Sequence, residues 1–201
     1  MNCKMMDTPT SGLASIGLFF KEIIANPAPV GAAAPSGPIL GMRMAMQVPV
    51  LKEGQHVVEL GAGTGAITTQ LLKSGIDGKQ LVSIERSEAM SSHLRNRFPL
   101  VKVIQGDASR LKKLLEDDHG IQSSSVACIV SGLPLRSLPT PVVESILAEA
   151  QSILPSGGRF IQFTYDIRKS PNPALSAFHR RNTRVVWMNF PPARVDVFEK
   201  P

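Results

Sequence analysis

The sequence predicts an α/β fold: a mostly parallel sheet flanked by helices and closed by a terminal antiparallel hairpin. Three observations carry this. Beyond residue 56, apolar strand-like runs rich in β-branched residues alternate with helix-like stretches in units of about 25 to 30 residues, as crossover-linked parallel strands require. The first run, "VVELGAGTGAI", passes directly into a glycine-rich turn, a junction that lets the backbone approach a ligand at the carboxyl end of a sheet. The last two runs, "TRVVWMNF" and "ARVDVFEK", are joined by Pro191-Pro192 with no helix between them. They close the sheet as strand, turn, strand.

Taken in order, residues 1–50 read as a separate N-terminal unit and 51–201 as the domain that carries the sheet. "SGLASIGLFFKEIIAN" places Leu13, Ile16, Phe20, Ile23 and Ile24 on one helical face, and Asn26-Pro27 ends it. A loop of prolines and small residues follows, then a short methionine-rich helix in "ILGMRMAMQ", whose methionines suit packing. The strand-helix units then run "HVVELGAG" to "AITTQLLKSG", "QLVSIERS" to "EAMSSHLRNRF", and "VKVIQGDA" to "SRLKKLLEDD". "VACIVSGL" leads into "PTPVVESILAEAQSILPSGG", and "RFIQFTYD" follows. Pro141 suits a first helical turn, and Gly157-Gly158 a helix stop.

Composition narrows the function classes. A chain of 201 residues, 43% hydrophobic and 19% charged, is sized for one well-buried globular domain. Cys3 and Cys128 share no metal or redox spacing, which fits a reducing compartment. No run of 18 apolar residues exists to span a bilayer. "LASIGLFF" is followed by Lys21-Glu22 with no small-residue cleavage site, so it is not expected to be a signal peptide. The formal charge of +6 favours an anionic partner without choosing between nucleic acid and membrane. His56, His93, His119 and His179 share no ligand spacing, and no metal site is expected.

The glycine turn is formally ambiguous. Gly61-x-Gly63-x-x-Ala66 fits a dinucleotide fingerprint, with Glu85 about 20 residues on as a ribose ligand, and it also fits a plain tight turn. Glu59 separates the readings. A carboxylate beside the turn repels a pyrophosphate, whereas S-adenosylmethionine has no phosphate and carries a sulfonium and an ammonium. The expected cofactor site is therefore Glu59, Gly61, Gly63 and Gly65 at the turn, with Glu85 accepting from the ribose hydroxyls. Arg86 is expected to cover the adenine face, and Asp107, with the Ala108 backbone beside it, to meet the adenine amino group.

On these residues the chain resembles class I S-adenosylmethionine-dependent methyltransferases over about residues 35–200, which implies their Rossmann-like sheet. "FFKEIIANPAPVGAAAPSGPIL", "VVELGAGTGAIT", "IERS", "GDAS" and "SGLPLRSLP" together are similar to the bacterial phospholipid N-methyltransferases, with Phe19 to Pro38 the discriminating segment. That resemblance implies methylation of phosphatidylethanolamine towards phosphatidylcholine, some relatives acting on ornithine lipids. The rRNA adenine dimethyltransferases are the rival family, and a decayed, non-catalytic binding relative is a third reading, opposed by the intact acidic residues.

The stretch from Ser131 to Pro139 bears on the acceptor. Base-methylating enzymes place an amide and an aromatic ring there; this chain has Ser131 and Leu135. A flipped base needs stacking and edge hydrogen bonds, yet aromatics are 5% of the chain, with one Trp and one Tyr. No nucleic-acid partner is therefore expected. Small residues against the methyl group leave room for a primary amine, so Ser131 counts among both cofactor-side and catalytic candidates. Tyr165 and Asp166, at the end of the fifth strand, are expected to orient the amine or accept its proton. A tyrosine face also favours a methylated cation by about 0.5 to 2 kcal/mol.

Two segments are candidates for contact with an anionic membrane. One is the helix 11–26, with Leu13, Ile16, Phe19, Phe20 and Ile24; the same helix also suits a lid over the cofactor. The other is 168–184, where Arg168, Lys169, Arg180, Arg181 and Arg184 occur without an acidic residue. The expected location is cytoplasmic, peripheral to the inner face of the membrane, with a phospholipid as substrate.

Overall fold

The computed structural model describes residues 37–168, 170–189 and 191–201. The expected helix 11–26 and Lys169 lie outside the described residues. The compact unit that holds the sheet begins at Pro35. The expected boundary after residue 50 therefore falls inside it, because helix α1 (Pro38–Ala45) buries Leu40, Met44 and Ala45 in the domain core. Of the helix's methionines only Met44 is buried; Met42 is exposed.

Seven strands form one sheet: β1 (His56–Leu60), β2 (Leu81–Glu85), β3 (Lys102–Gln105), β4 (Val126–Ser131), β5 (Arg159–Thr164), β6 (His179–Val186) and β7 (Ala193–Glu199). Their order is β3-β2-β1-β4-β5-β7-β6. The first five are parallel, and β7 enters antiparallel between β5 and β6. The chain runs outward from β1 to β3, then returns to place β4 on the other side of β1. That reversal opens a crevice at the carboxyl ends of β1 and β4, where ligands bind in sheets of this kind.

Continuous apolar runs explain the interior strands, since a sheet covered on both faces needs no polar alternation. Val57 and Val130 are buried on one face with α1 and Leu71 of α2 (Ala66–Lys73). On the other, α5 (Thr140–Ile153) buries Val143, Ile146, Leu147, Ala150 and Ile153, a helical spacing, and starts with Pro141 in its first turn. Phe160 of β5 and Phe178 pack with ring centroids 5.7 Å apart. Two further described helices, α3 (Glu88–Arg97) and α4 (Leu111–Glu116), follow β2 and β3. Ser87 caps α3 by accepting from the Met90 N–H.

Of the basic stretch 168–184, Arg180, Arg181 and Arg184 lie on β6, the edge strand, which begins at His179. His179 pairs with Glu199, which pairs in turn with Arg159 at the start of β5. Arg180 and Arg181 are thus at the amino end of the parallel strands, opposite the crevice, and Arg181 is paired with Glu199 at 2.9 Å. A strand long enough to cover β7 carries its first residues to that end. Among the described residues, no helix is long and apolar enough to cross a membrane.

Candidate cofactor and acceptor site

The glycine turn is built by conformations that side chains resist. Gly61, Gly63 and Gly65 all have positive φ, at 70°, 53° and 81°. A Cβ on Gly61 would lie 2.5 Å from Leu133 Cδ2, and one on Gly65 would lie 2.5 Å from Phe98 Cε2. Gly63 differs, because a Cβ there would meet nothing within 4 Å. Two glycines thus allow close packing of the turn, and the middle one faces open space at the crevice.

Glu59, in β1, is fully buried. Its Oε2 accepts from Thr68 Oγ1 of α2 and from Ser83 Oγ of β2, both at 2.7 Å. Burial pushes its carboxyl up to about 7, against the opposing pull of those two hydrogen bonds. Glu59 therefore fastens the strand before the glycine turn to the helix after it. Among the described residues its Oε1 has no hydrogen-bond partner.

Glu85 ends β2 with both oxygens engaged. Oε2 accepts from the Gly63 N–H at 2.9 Å and Oε1 from the Ser87 N–H at 2.8 Å. This bears on the cofactor directly. The amide that would cradle a pyrophosphate is already given to a carboxylate, and Asp107 stands at the next strand end. A dinucleotide does not fit. An adenosyl group with a cationic methionine does: Glu85 retains lone pairs for ribose hydroxyls, Gly63 leaves room, and Glu59 offers an unmatched buried oxygen.

Asp107 follows β3 and caps the 3-10 turn Ala108–Arg110, its Oδ1 accepting from Ser109 N–H and Oγ at 2.9 and 2.8 Å. Its Oδ2 lies 4.0 Å from Arg86 Nε. The structure brings Glu85, Arg86, Asp107 and the buried Ala108 to adjacent strand ends.

Ser131 ends β4 beside Leu60 and is fully buried, its Oγ accepting weakly from the Leu133 N–H at 3.4 Å. The following loop is held by its leucines: Leu133, Leu135 and Leu138 are all buried. Gln162 of β5 donates from Nε2 to the Leu133 carbonyl at 2.9 Å. The slot expected to hold a base-stacking ring therefore holds an aliphatic side chain turned to packing.

Tyr165 and Asp166 sit just past β5, at the same end of the sheet. The Tyr165 ring meets Phe163 edge-on at 5.4 Å. Burial raises the Tyr165 hydroxyl above its ordinary value, partly offset by a hydrogen bond with the Asn189 side chain. It stays a neutral phenol near pH 7, suited to orienting an amine or facing a cation and not to taking a proton. Asp166 lies 3.9 Å from Arg136 Nη1, joining the loop after β4 to the segment after β5. The Arg136 guanidinium also donates to the Ser170 carbonyl.

Sequence reading missed the partners. Thr68, Ser83, Ser87 and Ser109 hold the acidic residues in place, and Asn189 reaches Tyr165 from the hairpin turn. Ser83 carried a signal: a hydroxyl inside the apolar strand "LVSIE" needs a buried acceptor. Among the described residues, no group of acidic, His or Cys side chains is arranged to hold a metal.

Fold and site together define a class: an S-adenosylmethionine-dependent methyltransferase. The chain belongs to the methyltransferase domain family, which matches residues 57–158. It is 31% identical over 152 residues to the ornithine lipid N-methyltransferase of Singulisphaera acidiphila, covering 74% of this chain and 75% of that one. It is also 30% identical over 103 residues to ribosomal RNA small subunit methyltransferase A of Chlorobium phaeobacteroides, covering 51% of this chain but only 36% of that protein. In fold it is similar to the Burkholderia thailandensis 1,6-didemethyltoxoflavin-N1-methyltransferase solved with S-adenosylhomocysteine (TM-score 0.64, 16% identity, 99% and 93% of the two chains). The N-methyltransferase NodS of Bradyrhizobium japonicum, also solved with S-adenosylhomocysteine, matches with TM-score 0.64, 12% identity and coverage of 92% and 97%.

Proposed function

We propose that this protein transfers methyl groups from S-adenosylmethionine to the primary amine of a membrane lipid, phosphatidylethanolamine, towards phosphatidylcholine. The observation that carries the reading is the loop from Ser131 to Pro139, which offers neither an amide nor a ring to a base while its leucines pack inward. The lipid-methylating relative supports it further, and also favours ornithine lipid as a second acceptor, because the match covers three quarters of both chains.

When bound, the cofactor supplies an electrophilic methyl carbon on a sulfonium. The chain's residues do the rest. Glu85 and Asp107 fix the adenosine, Gly63 leaves the crevice open, and Glu59 holds the turn. Tyr165 orients the acceptor amine. The lipid ammonium first gives up a proton, to Asp166 or water, because only the free lone pair can react. A C–N bond then forms as the C–S bond breaks, the electron pair staying on sulfur. The protein works at the inner face of the cytoplasmic membrane, and the segment 11–26 and the exposed Arg168 and Arg184 contribute to holding it there.

The test is to offer labelled S-adenosylmethionine with vesicles of phosphatidylethanolamine, vesicles containing ornithine lipid, or rRNA. Label in the ethanolamine lipid is expected. Label confined to ornithine lipid would move the acceptor within the class, and label confined to rRNA would reject the lipid reading.

A further inference from the structure

The turn between β6 and β7 inverts the usual arrangement of a surface turn. Trp187 and Met188 are 70% and 80% exposed, while the polar Asn189 beside them is buried. Single exposed apolar residues are ordinary, but two large ones side by side at a turn tip mark a contact surface. Asn189 is anchored inward, donating from Nδ2 to the Pro191 carbonyl at 2.6 Å and bonding the Tyr165 side chain.

The register fixes where this tip lies. Strand pairing ends at Val186 and Ala193, and Val185 aligns with Arg194, which aligns with Thr164 at the carboxyl end of β5. The tip therefore projects from the end of the sheet that bears Glu85, Asp107 and Tyr165. Among the described residues, two exposed cations accompany it. Arg184 lies just before the tip on β6. Arg168 follows Ile167, whose carbonyl accepts from Arg194 Nη1 at 3.3 Å, so it belongs to the same corner.

Resting on the lipid-acceptor reading, we propose that Trp187 and Met188 enter the headgroup–acyl boundary of a bilayer, with Arg184 and Arg168 facing lipid phosphates. A lipid surface is the occupant that fits this chemistry. Tryptophan combines an apolar body with an N–H donor and favours the membrane interface, and arginines at the rim match anionic headgroups. The inward side of the same turn holds Tyr165 through Asn189. Insertion thus sets the acceptor side of the site against the membrane that supplies the amine.

Trp187 is the only tryptophan in the chain, so its fluorescence reports the tip alone. The full-length protein is mixed with vesicles of phosphatidylethanolamine and phosphatidylglycerol, with and without bromine in the acyl chains. A blue shift and quenching by the brominated lipid are expected. The Trp187→Ser, Met188→Ser double variant should lose roughly tenfold or more in turnover of vesicle lipid while keeping its melting temperature and its cofactor affinity by calorimetry. Emission that stays unshifted on vesicles, or that responds to rRNA and not to vesicles, overturns the proposal. The two readings fail separately. Insertion without label in any lipid refutes the acceptor and leaves the docking surface, whereas labelled lipid with Trp187 still in water refutes the docking surface alone.

Discussion

At the scale of the residue, Glu59 shows how a buried acid serves a turn. Its carboxyl group draws Thr68 and Ser83 together, and its second oxygen has no hydrogen-bond partner among the described residues. The raised carboxyl has a consequence for stability. Because the folded group binds its proton more tightly than the unfolded one, its contribution is fully present below pH 4.5 and is lost as pH rises to about 7. Glu59→Gln keeps an acceptor for both hydroxyls but cannot ionise. Melting curves of the cofactor-free proteins between pH 4.5 and 8 should show a decline in the parent that the variant lacks. Equal slopes would show that Glu59 does not titrate in this window.

At the scale of the element, the closing hairpin depends on a buried ion pair. Arg194 and Asp196 alternate along β7 with almost no exposure, Nε and Oδ2 2.9 Å apart, and Thr183 of β6 donates to the same carboxylate. Removing one partner of such a pair strands the other in the interior, at a cost of about 3–5 kcal/mol. Asp196→Ala is therefore expected to lower the unfolding free energy by that amount in urea titrations. A loss under 1 kcal/mol would mean that Arg194 reaches water once its partner is gone. The adjoining loop from Ser131 to Pro139 is tied down in a different way, by three buried leucines and the Gln162 amide.

At the scale of the whole molecule, charge and shape act together. The net charge of +6 favours anionic surfaces in general, but the arginines between 168 and 184 are split between two ends of the sheet. Arg180 and Arg181 are remote from the crevice, whereas Arg168 and Arg184 accompany the Trp187 tip. Association with phosphatidylglycerol-rich vesicles should weaken several-fold between 50 and 500 mM salt, as screening shortens the reach of surface charge to a few ångströms, while a component resistant to salt persists. Sedimentation of the parent and the Trp187→Ser, Met188→Ser variant checks this: only the parent should retain binding in high salt. Complete release of both would assign the attachment to charge alone.

The sequence by itself determined the alternation of strands and helices, the closing hairpin and the row of acidic strand ends. These are local facts: β-branched runs make strands, and glycines with positive φ make the turn. Glu59, Glu85 and Asp107 were legible because each directly ends or sits in an apolar run. Only the tertiary structure decided what those acids hold, since Gly63, Thr68 and Ser83 reach them across the sheet and not along the chain. It alone gave Gly63 an open side and Gly61 and Gly65 a packed one, carried α1 into the core, and placed Arg180 and Arg181 away from the crevice. Register was the reason: strand pairing, unlike periodicity, is a relation between distant residues, and it put Trp187 rather than Arg180 at the end of the sheet where the site lies.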